Sequence, residues 1–156
     1  MTDSDDLSRS TGQVYETKLR VRYAETDQMG VVYHSNYVIW FEVGRVELFR
    51  QLGFTYQEME KQEGALLAVV DLRCRYKVPA RYDELIRVCT RVLNVRGSLV
   101  HFGYEILRDG DEVLLAEGET THLVLDPEMK RRSLPEKYLS SFRKAAGKER
   151  QSEEAV

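Results

Sequence analysis

The chain has 156 residues, 42% hydrophobic and 31% charged, with a formal net charge of −3. That length suits one domain with a substantial core, and that charge excludes an overall attraction to nucleic acid or to an anionic membrane. The polar, acidic start lacks the apolar segment of a signal peptide, and no apolar run approaches the roughly 20 residues of a membrane span, so a cytoplasmic protein is expected.

One domain, residues 13–147, is expected between disordered polar tails at 1–12 and 148–156. Val14–Tyr23 sets Val14, Leu19, Val21 and Tyr23 among Glu16, Lys18, Arg20 and Arg22, a strand with one buried face. Ala24–Ser35 reads as a loop. Asn36–Leu52 reads as a helix, with Tyr37, Trp40, Phe41, Gly44 and Leu48 in one stripe. Val38, Ile39, Val43, Val46 and Phe49 widen that stripe and predict a helix buried on most sides. Gly44 in its middle costs about 1 kcal/mol relative to alanine. Close approach of another backbone is the expected compensation. Gly53 takes the position after the helix end. Thr55 and Glu58 have capping-box spacing, and Phe54 and Met59 staple spacing, which opens a short helix over Tyr56–Glu63.

Beyond Gly64 the period becomes two. Strands are predicted over Leu66–Lys77, with Leu72, Cys74 and Tyr76 on one face, and over Glu84–Val95, with Ile86, Val88 and Val92 on one face. Ser98–Arg108 follows, with Val100, Phe102, Tyr104 and Ile106 on one face, and then Glu112–Asp126, where Ala116, Gly118 and Thr120 leave room for a bulky neighbour. Arg96-Gly97 and Asp109-Gly110 mark turns. Ser133 and Glu136 have the spacing of a second capping box, opening a helix with Tyr138, Leu139, Phe142 and Ala146 on one side. Four consecutive strands joined by tight turns make an antiparallel sheet, and the apolar helix must pack across it. The fold class is α+β. Cys74 and Cys89 lie in strands, lack partners for a zinc site and read as buried free thiols.

The stretch richest in chemistry is Tyr23-Ala-Glu-Thr-Asp27-Gln-Met-Gly30-Val-Val-Tyr33-His34-Ser-Asn36-Tyr37. Asp27 in a Gly-containing turn has two readings. It caps local N–H groups as a turn former, or it faces the helix N-terminus as a catalytic carboxylate. In the second case the free N–H groups of the helix end hold a developing oxyanion, and the carboxylate acts as nucleophile or as base for water. Asn36 reads as a polar partner in the loop or as the helix N-cap. His101 and His122 read as structural residues, and Glu42 with Arg45, and Glu47 with Arg50, as helix ion pairs. No metal-ligand spacing accompanies them.

This stretch resembles the signature of hotdog-fold acyl-CoA thioesterases of the 4-hydroxybenzoyl-CoA thioesterase and YbgC type. Thr26, Asp27, Gly30, Val32, Tyr33, His34, Asn36 and Tyr37 fill every fixed position of a T-D-x-x-G-x-V-Y-H-x-N-Y pattern. The resemblance runs from about Val14 to Pro135 and includes Pro79-Ala80-Arg81-Tyr82-Asp83 and Arg132-Ser-Leu-Pro135. It implies a sheet wrapped around a long central helix. It also implies hydrolysis of a thioester of coenzyme A, or of an acyl carrier protein, to the free acid and thiol, with no cofactor and no metal. In that scheme Asp27 is nucleophile or general base, backbone N–H groups near Tyr33 and His34 polarise the carbonyl, and His34 lies beside the carboxylate. Tyr33 acts mainly through its backbone, and Thr26, Gly30 and Asn36 surround the substrate. The coenzyme A phosphates call for basic groups, for which Arg81, Arg96, Lys130, Arg131 and Arg132 are the candidates. The resemblance further implies a homodimer or homotetramer with sites between subunits. Two other readings stand beside hydrolysis: an acyl-CoA binding domain without turnover, and a dehydratase on the same fold.

Overall fold

The computed structural model of the chain describes residues 12–147. The expected tails, apart from Gly12, lie outside the described residues. Strand β1 (Tyr15–Arg20) leads into a 3-10 turn (Tyr23–Glu25), helix α1 (Ser35–Leu52) and helix α2 (Tyr56–Glu63). Strands β2 (Leu66–Tyr76), β3 (Leu85–Arg96), β4 (Leu99–Arg108) and β5 (Leu114–Leu125) follow, and helix α3 (Glu136–Ala145) closes the chain.

The five strands form one sheet in the order β1-β3-β4-β5-β2, with every neighbouring pair antiparallel. Only β3, β4 and β5 form the expected meander. β2 pairs with the far side of β5 and not with β3, so residues 77–84 carry the chain across from one side of the sheet to the other. The reason is the helix: α1 occupies the face between β1 and β2, and the strand after it returns on the opposite edge.

That edge position corrects the reading of β2. Leu72 and Tyr76, expected inside, are exposed together with Val69 and Val70, and a register shift between Val69 and Asp71 breaks the alternation. β1 is corrected as well. Tyr15 and Val21 face the core, whereas Tyr23 is 77% exposed, because the strand ends at Arg20 and Tyr23 opens the 3-10 turn. In β3 and β4 the predicted faces hold: Ile86, Val88, Val92, Val100, Phe102, Tyr104 and Ile106 are fully buried.

α1 lies across one face of the sheet. Phe41 stacks on Tyr104 with ring centroids 4.4 Å apart, and the missing side chain of Gly118 makes room for the Phe41 ring. A Cβ on Gly44 would meet Thr90 Oγ1 at 2.4 Å and Val88 Cγ1 at 2.6 Å. The close approach at Gly44 is therefore to β3 side chains, not to a backbone. Nor is the helix buried on most sides: Ile39 and Val43 are exposed apolar residues on its free face. Gly53 adopts the left-handed conformation at the end of α1, and Thr55 and Glu58 cap α2 reciprocally. α3 has Pro135 as its N-cap with no side-chain bond, so the Ser133–Glu136 capping box does not form. Its Phe142 ring packs on Phe49, Phe54 and Phe102 and closes the core beyond the C-terminal half of α1. Cys89 is buried and Cys74 half-buried, both free thiols. Burial is the first cause that pushes both up, Cys89 to about 11.

Candidate active site

The segment between β1 and α1 is pinned at each step. Thr26 bridges to Val32, Asp27 N–H donates to Val31 O at 2.9 Å, and Gly30 N–H donates to Asp27 O at 3.0 Å. This tight turn needs Gly30 at φ 78°, in the left-handed region. Thr26 Oγ1 donates to Tyr23 O at 2.7 Å, so its hydroxyl is held inside the loop. Asp27 Oδ1 accepts from Met29 N–H at 2.9 Å and from Val31 N–H at a longer 3.5 Å. The turn-former reading of Asp27 thus describes one carboxylate oxygen. Oδ2 takes no hydrogen bond among the described residues.

The loop is anchored to α1 through Glu25, a residue the sequence reading did not single out. Glu25 is 5% exposed, and its side chain accepts from Arg22 N–H at 2.7 Å and from Trp40 Nε1–H at 2.9 Å. Its carbonyl accepts from Tyr33 N–H at 2.8 Å and from Asn36 Nδ2 at 2.9 Å. The signal was present in the only tryptophan, Trp40: a buried indole N–H on an apolar helix demands an acceptor. Asn36 is accordingly not the N-cap. α1 begins at Ser35 with His34 as N-cap, and Asn36 spends its amide on Glu25.

The helix start is where free donors remain. Tyr33 N–H is taken by Glu25 O, Val32 N–H by Ala80 O, and Asn36 N–H by Tyr33 O. Among the described residues the N–H groups of His34 and Ser35 have no acceptor. His34 is exposed, and its ring lies 4.3 Å from Tyr33 and 6.4 Å from Tyr76. Tyr76 OH donates to His34 O at 2.9 Å, and Tyr37 OH accepts from Ala80 N–H at 3.0 Å. Burial pushes both phenols up, Tyr76 to about 12, so both stay protonated at neutral pH.

These groups line one cleft of about 230 Å³. Asp27, His34 and Tyr76 meet apolar walls from Met29, Val31 and Val78, and Lys77 enters the lining. Lys77 Nζ stands 3.7 Å from Glu117, a buried carboxylate on β5. The sequence pattern marks Tyr76 and Lys77 only as residues of a strand, and the fold adds both to the site. Arg81 follows Ala80, whose carbonyl and N–H bond Val32 and Tyr37, and so stands near the cleft. Arg96 does not. The register runs from Arg96 to Leu99, Leu123 and Ala68, which puts it at the end of the sheet away from Tyr76. Arg131 and Arg132 lie at that far end too, Arg131 in a bridge with Leu125 and Arg132 bonded to Glu63 O and Gly64 O.

Of the expected helix ion pairs, Glu47 and Arg50 meet, but Arg45 turns inward and donates to Tyr104 OH at 3.0 Å. Among the described residues Arg45 forms no ion pair with Glu42. His101 pairs with Glu119 at 3.0 Å, and His122 bonds Thr120 at 2.9 Å.

The model of the thioesterase-like superfamily matches residues 21–142, most of the chain and all of the site just described. The chain belongs to the thioesterase-like superfamily. YneP of Bacillus subtilis is 43% identical over 115 residues, covering 74% of this chain and 82% of its own. The acyl-CoA thioester hydrolase YbgC of Escherichia coli is 32% identical over 131 residues, covering 83% of this chain and 96% of its own. Among solved structures, a DHNA-CoA thioesterase from Staphylococcus aureus superposes with a TM-score of 0.78 at 34% identity, covering 92% of this chain and 95% of that one. The sheet and central helix of this thioesterase-like chain are the hotdog fold that the signature implied. No helix among the described residues is long and apolar enough to cross a membrane.

Proposed function

We propose that this chain is an acyl-CoA thioester hydrolase acting in the cytoplasm, with Asp27 as nucleophile or general base. The observation that carries the reading is that Asp27 and His34 line one apolar cleft at the start of α1, where the His34 and Ser35 N–H groups have no acceptor among the described residues. The thioester carbon lies at Asp27, and its oxygen points to the His34 and Ser35 N–H groups. Charge growing on that oxygen meets two preorganised donors and the positive end of α1. Either Asp27 Oδ2 attacks the carbonyl carbon and water later cleaves the acyl-Asp27 anhydride, or Asp27 takes a proton from an attacking water. In both cases the C–S bond breaks and coenzyme A leaves as a thiolate. A thiolate is a good leaving group, so no strong general acid is needed, which fits a cleft whose phenols stay protonated. His34 and Tyr33 flank the reacting atoms, Thr26, Gly30 and Asn36 hold the loop in place, and Arg81 is the basic group near the mouth.

The working unit is a homodimer. Among the described residues no strand pairs with the outer side of β2, which is eleven residues long, and Val69, Val70 and Leu72 of that edge are exposed, as are Ile39 and Val43 of α1. A second copy pairing along β2 covers both. A two-fold at Leu72 also sets Asp71 opposite Arg73 of the other copy, which gives the edge a complementary charge pattern. The test is thiol release from a panel of short, long and aromatic acyl-CoAs, run beside light scattering of the same sample. Release from at least one class by a dimer or tetramer is expected. Tight coenzyme A binding without release would favour the binding-domain reading instead.

A further inference from the structure

Tyr76 is poorly explained as a packing residue. It closes β2 opposite Ala116 and is 49% exposed. Its ring meets Tyr37 edge-on at 5.2 Å and His34 edge-on at 6.4 Å. Its hydroxyl is fixed nonetheless. It donates to His34 O at 2.9 Å, a bond from the end of β2 to the start of α1. The chain just beyond it is held as well, because Lys77 N–H and Val78 N–H both donate to Leu115 O. The phenol thus reaches the helix from a strand end that cannot drift.

The acceptor is not one that needs a second partner. His34 is the N-cap of α1, and an N-cap carbonyl already takes the first hydrogen bond of its helix. A second bond to a satisfied carbonyl on an exposed rim adds little to stability. Its consequence lies at the other end of the same peptide. The His34 C=O and the Ser35 N–H form one planar trans unit and point in opposite directions. With the oxygen held by Tyr76, the N–H is held too, facing out of the start of the helix. A donor on the carbonyl oxygen also polarises the peptide and makes its N–H a stronger donor. That N–H has no acceptor among the described residues, and Tyr76, His34 and Asp27 line the same cleft.

Resting on the thioesterase reading above, we propose that Tyr76 is a positioning residue of the reaction. Through the His34–Ser35 peptide it orients and strengthens the Ser35 N–H as a donor to the thioester oxygen. Tyr76 touches no reacting atom in this role. The oxygen carries most charge in the transition state, so the gain falls on kcat more than on KM.

Tyr76→Phe tests this, because it keeps the ring and a good strand former and removes only the hydroxyl. On the acyl-CoA that the wild type cleaves best, kcat should fall about tenfold. That is less than the roughly 10²–10³-fold loss of a whole oxyanion donor, since the N–H remains. KM should stay within about twofold and Tm within about 4 °C. The second readout is the bound carbonyl itself. Asp27→Asn holds the substrate uncleaved, and infrared difference spectra of an acyl-CoA carrying ¹³C at the thioester carbonyl report the strength of the donors. In Asp27→Asn the stretch should lie below that of the free thioester. In the Asp27→Asn, Tyr76→Phe double variant it should move back towards the free value. A merely structural hydroxyl would lower Tm and leave the stretch in place. An unchanged stretch, an unchanged kcat, or a loss confined to KM overturns the proposal while leaving hydrolysis intact. No thiol release by the wild type from any acyl-CoA removes the thioesterase reading itself.

Discussion

Replacing Gly44 by alanine tests how α1 is seated on the sheet. On an isolated helix the change would gain about 1 kcal/mol. Here the new Cβ would stand 2.4 Å from Thr90 Oγ1 and 2.6 Å from Val88 Cγ1, about 1 Å inside van der Waals contact. Thr90 and Val88 are fully buried and β-branched, so neither has a free rotamer to retreat into. Overpacking of that kind costs about 1–3 kcal/mol. Two such contacts place the cost at the upper end, and the net loss after the helix gain is about 1–2 kcal/mol. In thermal unfolding at fixed protein concentration this lowers Tm by about 2–8 °C. Thr90 Oγ1 makes no hydrogen bond, so Thr90→Ala removes one contact at little polar cost. The double mutant should therefore show a favourable coupling of about 1 kcal/mol in urea unfolding at constant slope. Stabilisation by Gly44→Ala alone, or zero coupling with Thr90→Ala, would refute the packing described for α1 on β3.

Trp40→Phe removes the indole donor to the buried Glu25 carboxylate, a bond to a charged group worth about 1.5–3 kcal/mol. Because the Glu25 carbonyl holds Tyr33 N–H and Asn36, kcat/KM for thiol release should fall along with Tm; an unchanged Tm would mean Glu25 is not the anchor. His122 gives a pH signature. Burial first, and the Arg45 guanidinium second, push its imidazole down to about 3, against about 6.5 in the unfolded chain. Its folded pKa is depressed, so the unfolded state binds the proton first as pH falls. The stability conferred by neutral His122 is full above pH 6.5 and is lost progressively from 6.5 towards 3, about 2 kcal/mol of it between pH 7 and pH 5. His122→Gln should flatten the pH dependence of the urea midpoint over that window, and identical slopes in the two proteins would contradict the assignment.

Local chemistry wrote much of this molecule legibly. The 3.6-residue stripe from Tyr37 to Leu48, the two-residue period of β3 and β4, the Gly53 stop and the Thr55–Glu58 cap all read directly, because each depends on neighbours in sequence. What failed was long-range. Nothing local says that β2 pairs with β5 at an edge, so its apolar residues were placed inside although an edge strand exposes them. The Ser133–Glu136 spacing makes a capping box only if Ser133 is the N-cap, and here the helix begins at Glu136 with Pro135 as its N-cap. At the site, the motif marked the loop and the helix start, but the bonding inside it was invisible. Glu25, two residues before Asp27, had no pattern of its own, and its partner Trp40 was fifteen residues away. Arg45 was read by its i, i+3 spacing to Glu42, whereas burial against Tyr104 decided its direction. The Tyr33 amide looked available by position, and only the bond to Glu25 O removes it from the set of free donors.

The most direct test of the central claim is steady-state thiol release by wild type and Asp27→Asn on the acyl-CoA that the wild type cleaves best, with Tm and coenzyme A binding measured on both proteins. Asn keeps the shape of the turn and an oxygen acceptor for Met29 N–H, so the fold and binding should persist while turnover falls by at least about 10³-fold. Turnover in Asp27→Asn within tenfold of wild type, with the fold intact, would contradict the account.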